Sequence, residues 1–367
     1  MENGVEMYRF VQSVQECYQL LQDERSRDIF ETRLVLDYNP SPVHTARLIA
    51  LSEQKKWMDA LEKSVPAITR AAEETPRKLV LYGTNVTGYA VAARLLEKGV
   101  EFYGFCGRRA REFPDGLMGK PVIPPEEFFQ NPKDFNLIVS ACESADEIMA
   151  ILREHRFPQE QILFNFKPEG LEDHQYFEFP ALFRRGTAFV DCGCLNCRTS
   201  YQFVDWCGGD YSKIFAFEPD PISASICRKN LAEREIRDFQ LIEAGLSDHV
   251  GTAAFRTGLY NCSHIVEEGS GEEHVETLPL TTIDQTVGEE RIGFIKMDVE
   301  GAEYDALHGA RGVILRDRPL LALSVYHRTG DMLAIMDYLH GLVPEYRFWL
   351  RHYSVGLADT VLYAAAG

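Results

Sequence analysis

The feature that most limits the folds open to this chain is a pattern that occurs twice. A short apolar run stops at a glycine, and a helical stretch follows. "KLVLYG" at 78–83 leads into "TGYAVAARLLEKG", and "TAFVDCG" at 187–193 leads into a stretch expected to be helical from about residue 199. Apolar runs of this length read as strands buried on both faces. Strand alternating with helix builds βαβ units around a parallel sheet. After the first run, "VEFYGFCG" and "FNLIVSA" (135–141) read as further strands and "ADEIMAILREH" as a helix. After the second, strands are expected at 187–191, 213–218, 239–243, 292–298, 319–326, 346–353 and 359–365. Helices are expected at 199–207, 221–233, 302–315 and 331–342.

Upstream, residues 5–37 space apolar side chains three or four apart, as a helix does. "NPSP" at 39–42 interrupts the pattern, 43–73 resumes it, and Pro76 closes it. The expected fold class is α/β, with two Rossmann-like parallel-sheet domains and an N-terminal helical segment. The expected divisions are 1–75 (helical), 76–167 (first α/β domain), 168–186 (an aromatic-bearing linker) and 187–367 (second α/β domain).

Composition narrows the partners. Of the 367 residues 45% are hydrophobic, enough for packed cores. The formal net charge of -18 argues against wrapping nucleic acid or coating an anionic membrane, both of which need clustered Lys and Arg. A small-molecule or glycan acceptor fits better. "MENGVEMYRF" lacks the basic start and apolar run of a signal peptide, and no apolar stretch approaches the ~20 residues of a membrane span. Nine cysteines, an odd number spread over a long chain, suit reduced thiols rather than a disulfide framework, so a cytoplasmic protein is expected. The helical N-terminal segment suits a cap or a dimer arm, which leaves a homo-oligomer open.

"FVDCGCLNCRTS" at 189–200 admits two readings. Cys192, Cys194 and Cys197 offer thiolates to zinc or an iron–sulfur cluster. However, the spacing C-x-C-x-x-C has no matching second knuckle, so no metal site is assigned. The preferred reading is a ligand loop after a strand. Asp191 ends the strand and Gly193 lets a ligand approach the backbone. Asn196 lies in the same turn, and Thr199 or Ser200 starts the helix. About twenty residues on, "KIFAFEPD" ends in Glu218, an acid placed to accept from ribose hydroxyls. This pairing points to an adenosine-containing ligand and does not by itself separate NAD from S-adenosylmethionine.

Further motifs carry a resemblance. The turn D-x-G, "FEPDP", "IEAGLSDHVG" (242–251) and above all "IGFIKMDVEGAE" (292–303) together resemble the FkbM family of S-adenosylmethionine-dependent O-methyltransferases. The likeness covers 187–326 and extends towards 365. It departs where the family turn reads D-x-G-A-x-x-G: Cys194 stands for Ala and Cys197 for the last Gly. The resemblance implies a class I methyltransferase fold for the second domain, with S-adenosyl-L-methionine as cofactor and a saccharide or related hydroxyl as acceptor. It places Asp191 and Gly193 along the methionine and ribose side and Glu218 on the ribose diol. Asp220 and Ile222 fall at the adenine edge, with Ser247 and Asp248 in the adenine-side segment.

Lys296, Asp298, Glu300 and Glu303 crowd the end of the fourth strand, which is costly without a role. Asp298 is the first candidate for a base or acceptor-orienting group. His327 in "LSVYHR" is the rival and His352 a weaker one; Glu303 suits an acid at a helix N-terminus. In the first α/β domain, "YGTNVTG" puts Asn85 where a dinucleotide loop of the pattern Gly83-x-Gly-x-x-Gly88 needs its middle glycine. Its next strand ends in Cys106 and Gly107 without an acid. "GLMGKPVIPPEEF" resembles small Rossmann-like domains of sugar-modifying enzymes. The competing functions are a non-catalytic two-domain binding or scaffold protein and an NAD-dependent sugar-modifying oxidoreductase.

Overall fold

The computed structural model describes residues 2–39, 41–52, 55–141, 144–166, 175–257, 264–266 and 274–366. The chain divides into two compact units. One comprises Met1–Arg27, His174–Arg351 and Asp359–Gly367, the other Asp28–Asp173 and His352–Ala358.

Four helices come first: α1 (Glu2–Leu20), α2 (Glu24–Tyr38), α3 (Pro42–Ala50) and α4 (Lys55–Glu74). The apolar spacing predicts one helix over 5–37, yet the chain breaks at 21–23. Asp23 accepts the backbone N–H of Ser26 at 2.7 Å, a cap that starts a new helix. Leu21 instead forms a parallel β-bridge with Phe348. The first 27 residues thus belong with the sheet that contains Phe348, and the rest of the helical segment with the other unit.

The unit built on residues 28–173 holds β1 (Lys78–Tyr82), α5 (Val86–Glu97), β2 (Gly104–Cys106), β3 (Val122–Ile123), α6 (Pro125–Phe128), β4 (Phe135–Val139), α7 (Ala145–Glu154) and β5 (Ile162–Asn165). Its strands lie in the order β3-β2-β1-β4-β5, all parallel. Asn85 accepts the backbone N–H of Gly88 and caps α5. Its side chain therefore occupies the place that a dinucleotide loop keeps open. A Cβ on Gly88 would overlap the carbonyl oxygen of Gly83, so that glycine serves the packing of helix on loop.

The other unit carries a seven-stranded sheet of β6 (Ala188–Cys192), β7 (Ile214–Phe217), β8 (Phe239–Ile242), β13 (Ile292–Met297), β14 (Leu320–Ser324), β15 (Tyr346–His352) and β16 (Thr360–Ala366), in the order β15-β16-β14-β13-β6-β7-β8. β16 runs antiparallel to β14, and the pairings from β14 to β8 are parallel. This is the doubly wound sheet expected of a class I methyltransferase, with its order reversing between β6 and β13. Its helices are α8 (Arg198–Cys207), α9 (Pro221–Glu233), α10 (Ile283–Val287), α11 (Glu303–His308), α12 (Arg311–Asp317) and α13 (Asp331–Leu342). The single helix predicted at 302–315 is two, because Asp284 accepts from the backbone N–H groups of Gly312 (2.7 Å) and Val313 (2.8 Å) and caps a fresh start. Tyr176, Phe177 and Phe183 of the expected linker are buried. Phe177 and Phe183 pack on Trp206 and Phe294.

A small sheet was not anticipated from the sequence. It consists of β9 (Gly245–Leu246), β10 (Gly251–Arg256), β11 (His264–Ile265) and β12 (Val275–Thr281), in the order β11-β10-β12-β9. Among the described residues no helix is long and apolar enough to cross a membrane.

Candidate active site

In an open α/β sheet, ligands bind beyond the strand ends where the strand order reverses. Here that point lies between β6 and β13, and the loops after them touch. Gly193 has φ +77, and a Cβ on it would overlap the carbonyl oxygen of Asp298. The Asp298 N–H donates to the Cys192 carbonyl at 3.0 Å. Beneath this crossing Lys296 donates to the carbonyls of Cys192 (3.1 Å) and Gly193 (2.6 Å), and it pairs with Asp191 at 3.3 Å. Asp191 also accepts from the Ser200 hydroxyl at 2.7 Å. Burial pushes the Asp191 carboxyl up, and Lys296 and Ser200 pull against it. Asp191 and Lys296 are both buried. They brace the loop from below and do not face the cavity above it.

That cavity spans about 700 Å³, the open solvent at its mouth included. Gly193 and Leu195 line it from the first loop, Glu218 from the end of β7, Phe255 and Ile265 from the small sheet, and Asp298 and Glu300 from the turn after β13. Glu218 ties two loops together. One oxygen accepts from the Leu195 N–H (2.9 Å), the other from the Asp220 N–H (3.0 Å). Burial pushes its carboxyl up to about 7, against the pull of those two N–H groups.

Other expected ligand residues are placed elsewhere. Asp220 caps α9, accepting from Ile222 N–H (2.8 Å) and Ser223 N–H (3.2 Å), and Ile222 is exposed. Asp248 is exposed and pairs with His249 at 2.6 Å, while the Ser247 hydroxyl donates to Asp248. Asn196 accepts from Arg198 N–H through its side chain and from Asn230 through its carbonyl, shaping the loop. A carboxylate or amide beside a turn satisfies orphan N–H groups as readily as it binds a ligand. That shared chemistry is why these positions read as ligands in the sequence. His352 is buried, with Nε2 3.0 Å from the Gly356 carbonyl.

Asp298 accepts from the hydroxyls of Tyr176 (2.8 Å, to Oδ2) and Tyr326 (3.3 Å, to Oδ1). Burial raises its carboxyl, but Lys296, His327 and the tyrosine hydroxyl outweigh that and hold it below the ordinary range. His327 sits behind. Its Nε2 lies 3.5 Å from Asp298 Oδ1 and 3.6 Å from Glu300 Oε2, and its Nδ1 is 2.8 Å from Glu303 Oε1. Burial pulls the imidazole down, yet the Glu303 hydrogen bond and the three carboxylates bring it up to about 9. His327 is therefore an imidazolium at neutral pH, and a charged imidazole takes no proton. Glu303, expected as an acid at a helix N-terminus, is the first residue of α11; it is fully buried and also accepts from Val299 N–H at 2.9 Å.

The cysteines gather differently from the expectation. Cys192 stays in β6, while Cys227 of α9 joins Cys194 and Cys197, and the three sulfurs lie within 4.8 Å of one another. All three are buried free thiols. Cys197 holds φ +65 and Leu195 φ +53, left-handed conformations that favour glycine. Cys197 thus keeps the backbone shape of the glycine it replaces while its sulfur fills space under the loop.

Residues 191–349 match the family described as methyltransferase FkbM domain. Among curated proteins, the 2-O-methyltransferase NoeI of Sinorhizobium fredii (strain NBRC 101917 / NGR234) is 27% identical over 173 residues, 41% of this chain and 70% of NoeI. Among solved structures, the methyltransferase FkbM from Methylobacillus flagellatus KT is 18% identical and has a TM-score of 0.45, spanning 84% of this chain and 99% of that one. An rRNA methylase from Streptococcus thermophilus is 15% identical with a TM-score of 0.34, spanning 51% and 91%. The domain match runs from the end of β6 into β15 and takes in the Gly193 loop, Glu218 and the Asp298 turn. Residues 191–349 thus form an FkbM methyltransferase domain, and the chain is an S-adenosylmethionine-dependent methyltransferase.

Proposed function

We propose that the protein methylates a hydroxyl oxygen of a saccharide or related metabolite, with Asp298 receiving the acceptor. The observation that carries this is an ionised carboxylate at the end of β13, held by two tyrosine hydroxyls and lining the same cavity as Gly193 and Glu218. The 2-O-transfer in the name of NoeI supports an oxygen acceptor, and the net charge of -18 suits a small uncharged one.

The residues present fit the cofactor. Gly193 lines the cavity, and its missing Cβ lets the Asp298 turn cross against the first loop. Glu218 faces the cavity with lone pairs to spare beyond its two backbone bonds. When bound, S-adenosylmethionine supplies a methyl on a positively charged sulfur, which leaves as a neutral thioether once the acceptor oxygen takes the methyl. The chain must orient that oxygen and accept its proton. Asp298 does both: Tyr176 and Tyr326 fix its plane, and Lys296 and then His327 keep it ionised against its burial. A methyl-transfer screen over mono- and oligosaccharides tests the reading. Transfer to an amine or a thiol and to no hydroxyl refutes it.

Glu218 gives a second check. A glutamate in an unfolded chain loses its proton near ~4.3, whereas Glu218 holds its own up to about 7. Its contribution to stability is present below ~4.3 and declines as pH rises through about 7. Cofactor affinity moves the other way, because two ribose hydroxyls need an ionised acceptor. Calorimetry should show binding ~10-fold tighter at pH 8 than at pH 6. Glu218→Gln should flatten that slope, and Glu218→Ala should cost ~1–3 kcal/mol at pH 8. Unchanged affinity in a folded Glu218→Ala protein removes Glu218 from the ribose role.

A further inference from the structure

One nitrogen at this site has no hydrogen bond and meets its two carboxylate neighbours only at ion-pair distance. His327 has a side chain only 10% exposed, and its Nε2 is buried and makes no hydrogen bond among the described residues. Nδ1 is satisfied by Glu303, which also accepts from Val299 N–H and is thereby fixed. A carboxylate on one imidazole nitrogen sets the ring's orientation and leaves the other to bind. Here the other nitrogen points between two carboxylates, Asp298 and Glu300, both of which line the cavity.

We propose that Asp298, Glu300 and His327 form a binding site for one first-row divalent cation at the floor of the cavity. The geometry supports it. Bonds of ~2.1 Å set at 90–110° place neighbouring donor atoms roughly 3.0–3.4 Å apart. His327 Nε2 lies 3.5 Å from Asp298 Oδ1 and 3.6 Å from Glu300 Oε2, so a contraction of a few tenths of an ångström brings each carboxylate to that spacing from the imidazole. All three donor atoms lie within 4.8 Å of one another. Two carboxylate oxygens and one imidazole nitrogen suit manganese, iron, cobalt or zinc better than copper(I), which prefers thiolates. Charge agrees: the cation would take the place of the proton that makes His327 an imidazolium, beside the carboxylates of Asp298, Glu300 and the buried Glu303. Asp331 adds to them from the start of α13, facing both Glu303 and His327. The catalytic use of the ion rests on the methyl-transfer reading above: a hydroxyl bound to the cation is more acidic than a free one.

The test separates ion binding from that reading. Mn2+ is titrated into the full chain and free Mn2+ is followed by its paramagnetic resonance signal; S-adenosylmethionine affinity is measured on the same samples by calorimetry. One saturable Mn2+ per chain is expected, weakened at least ~10-fold by Glu300→Gln and by His327→Gln. Should His327→Gln fail to fold, Glu300→Gln, a half-buried side chain on a turn, decides alone. Zn2+ should displace Mn2+ from the wild-type protein. No saturable binding below ~1 mM, or binding indifferent to Glu300→Gln, overturns the site. Mn2+ binding without cofactor binding would leave the ion site standing and sink the methyl-transfer reading; the converse would do the reverse.

Discussion

Asp298→Asn is expected to lower turnover by ~10²–10⁴-fold, the range for a lost general base, with cofactor affinity almost unchanged. The carboxamide keeps the shape of the side chain and one acceptor oxygen. The Tyr176 hydroxyl, which donates to Asp298 Oδ2, can rotate to accept from the new amide. The fold should therefore survive, and circular dichroism should overlay. The pH profile of the wild-type protein identifies the base. A base must be deprotonated to act, so the rate falls as pH drops through its pKa. Asp298 is held below the ordinary carboxylate range, so at saturating cofactor it predicts a rate flat from about pH 6 to 8.5. His327 stands at about 9, so a histidine base predicts a rate that climbs roughly tenfold per pH unit across that window. That climb, together with near-normal turnover in Asp298→Asn, would move the role to His327.

Gly193→Ala should have the second large effect. At φ +77 an alanine is strained by ~1–2 kcal/mol. Its methyl would also overlap the Asp298 carbonyl oxygen, which belongs to rigid backbone at the end of β13. Relief requires the two loops to separate, and the separation opens the cofactor cavity. We expect a stability loss of ~2–5 kcal/mol, among the larger single-site effects, and cofactor affinity lower by at least ~10²-fold. Gly209→Ala is the control. That glycine also has positive φ (+73) but meets nothing within 4 Å, so it shows the backbone strain alone. Equal losses in the two variants would mean that the crossing of the loops contributes nothing.

The strands of the larger sheet were legible because buried parallel strands read as unbroken apolar runs. β6, β7, β8, β13 and β14 fall within two residues of their expected ends. The small sheet was not, because Val275, Glu276, Thr277 and Pro279 of β12 are exposed and give no apolar run to read. Residues at strand ends were also readable: Gly193, Glu218, Asp298 and Glu300 line the cavity. Contacts made across the fold left no local trace. Tyr176 reaches Asp298 over 122 residues, and Cys227 meets Cys194 over 33. The imidazolium state of His327 depends on Glu303 and Asp298 together, and periodicity says nothing of charge.

The pairing of the chain's first segment with β15 bears on the order in which the protein assembles. Ser26 exchanges hydrogen bonds with the backbone of Leu350, 324 residues later. At ~5–20 residues per second, roughly 16–65 s separate the synthesis of the two. During that interval α1 has yet to meet β15, whereas β1 to β5 of the other unit are already made and only its short piece His352–Ala358 is still to come. The methyltransferase unit thus joins this segment to β15 only after β1 to β5 of the other unit are made.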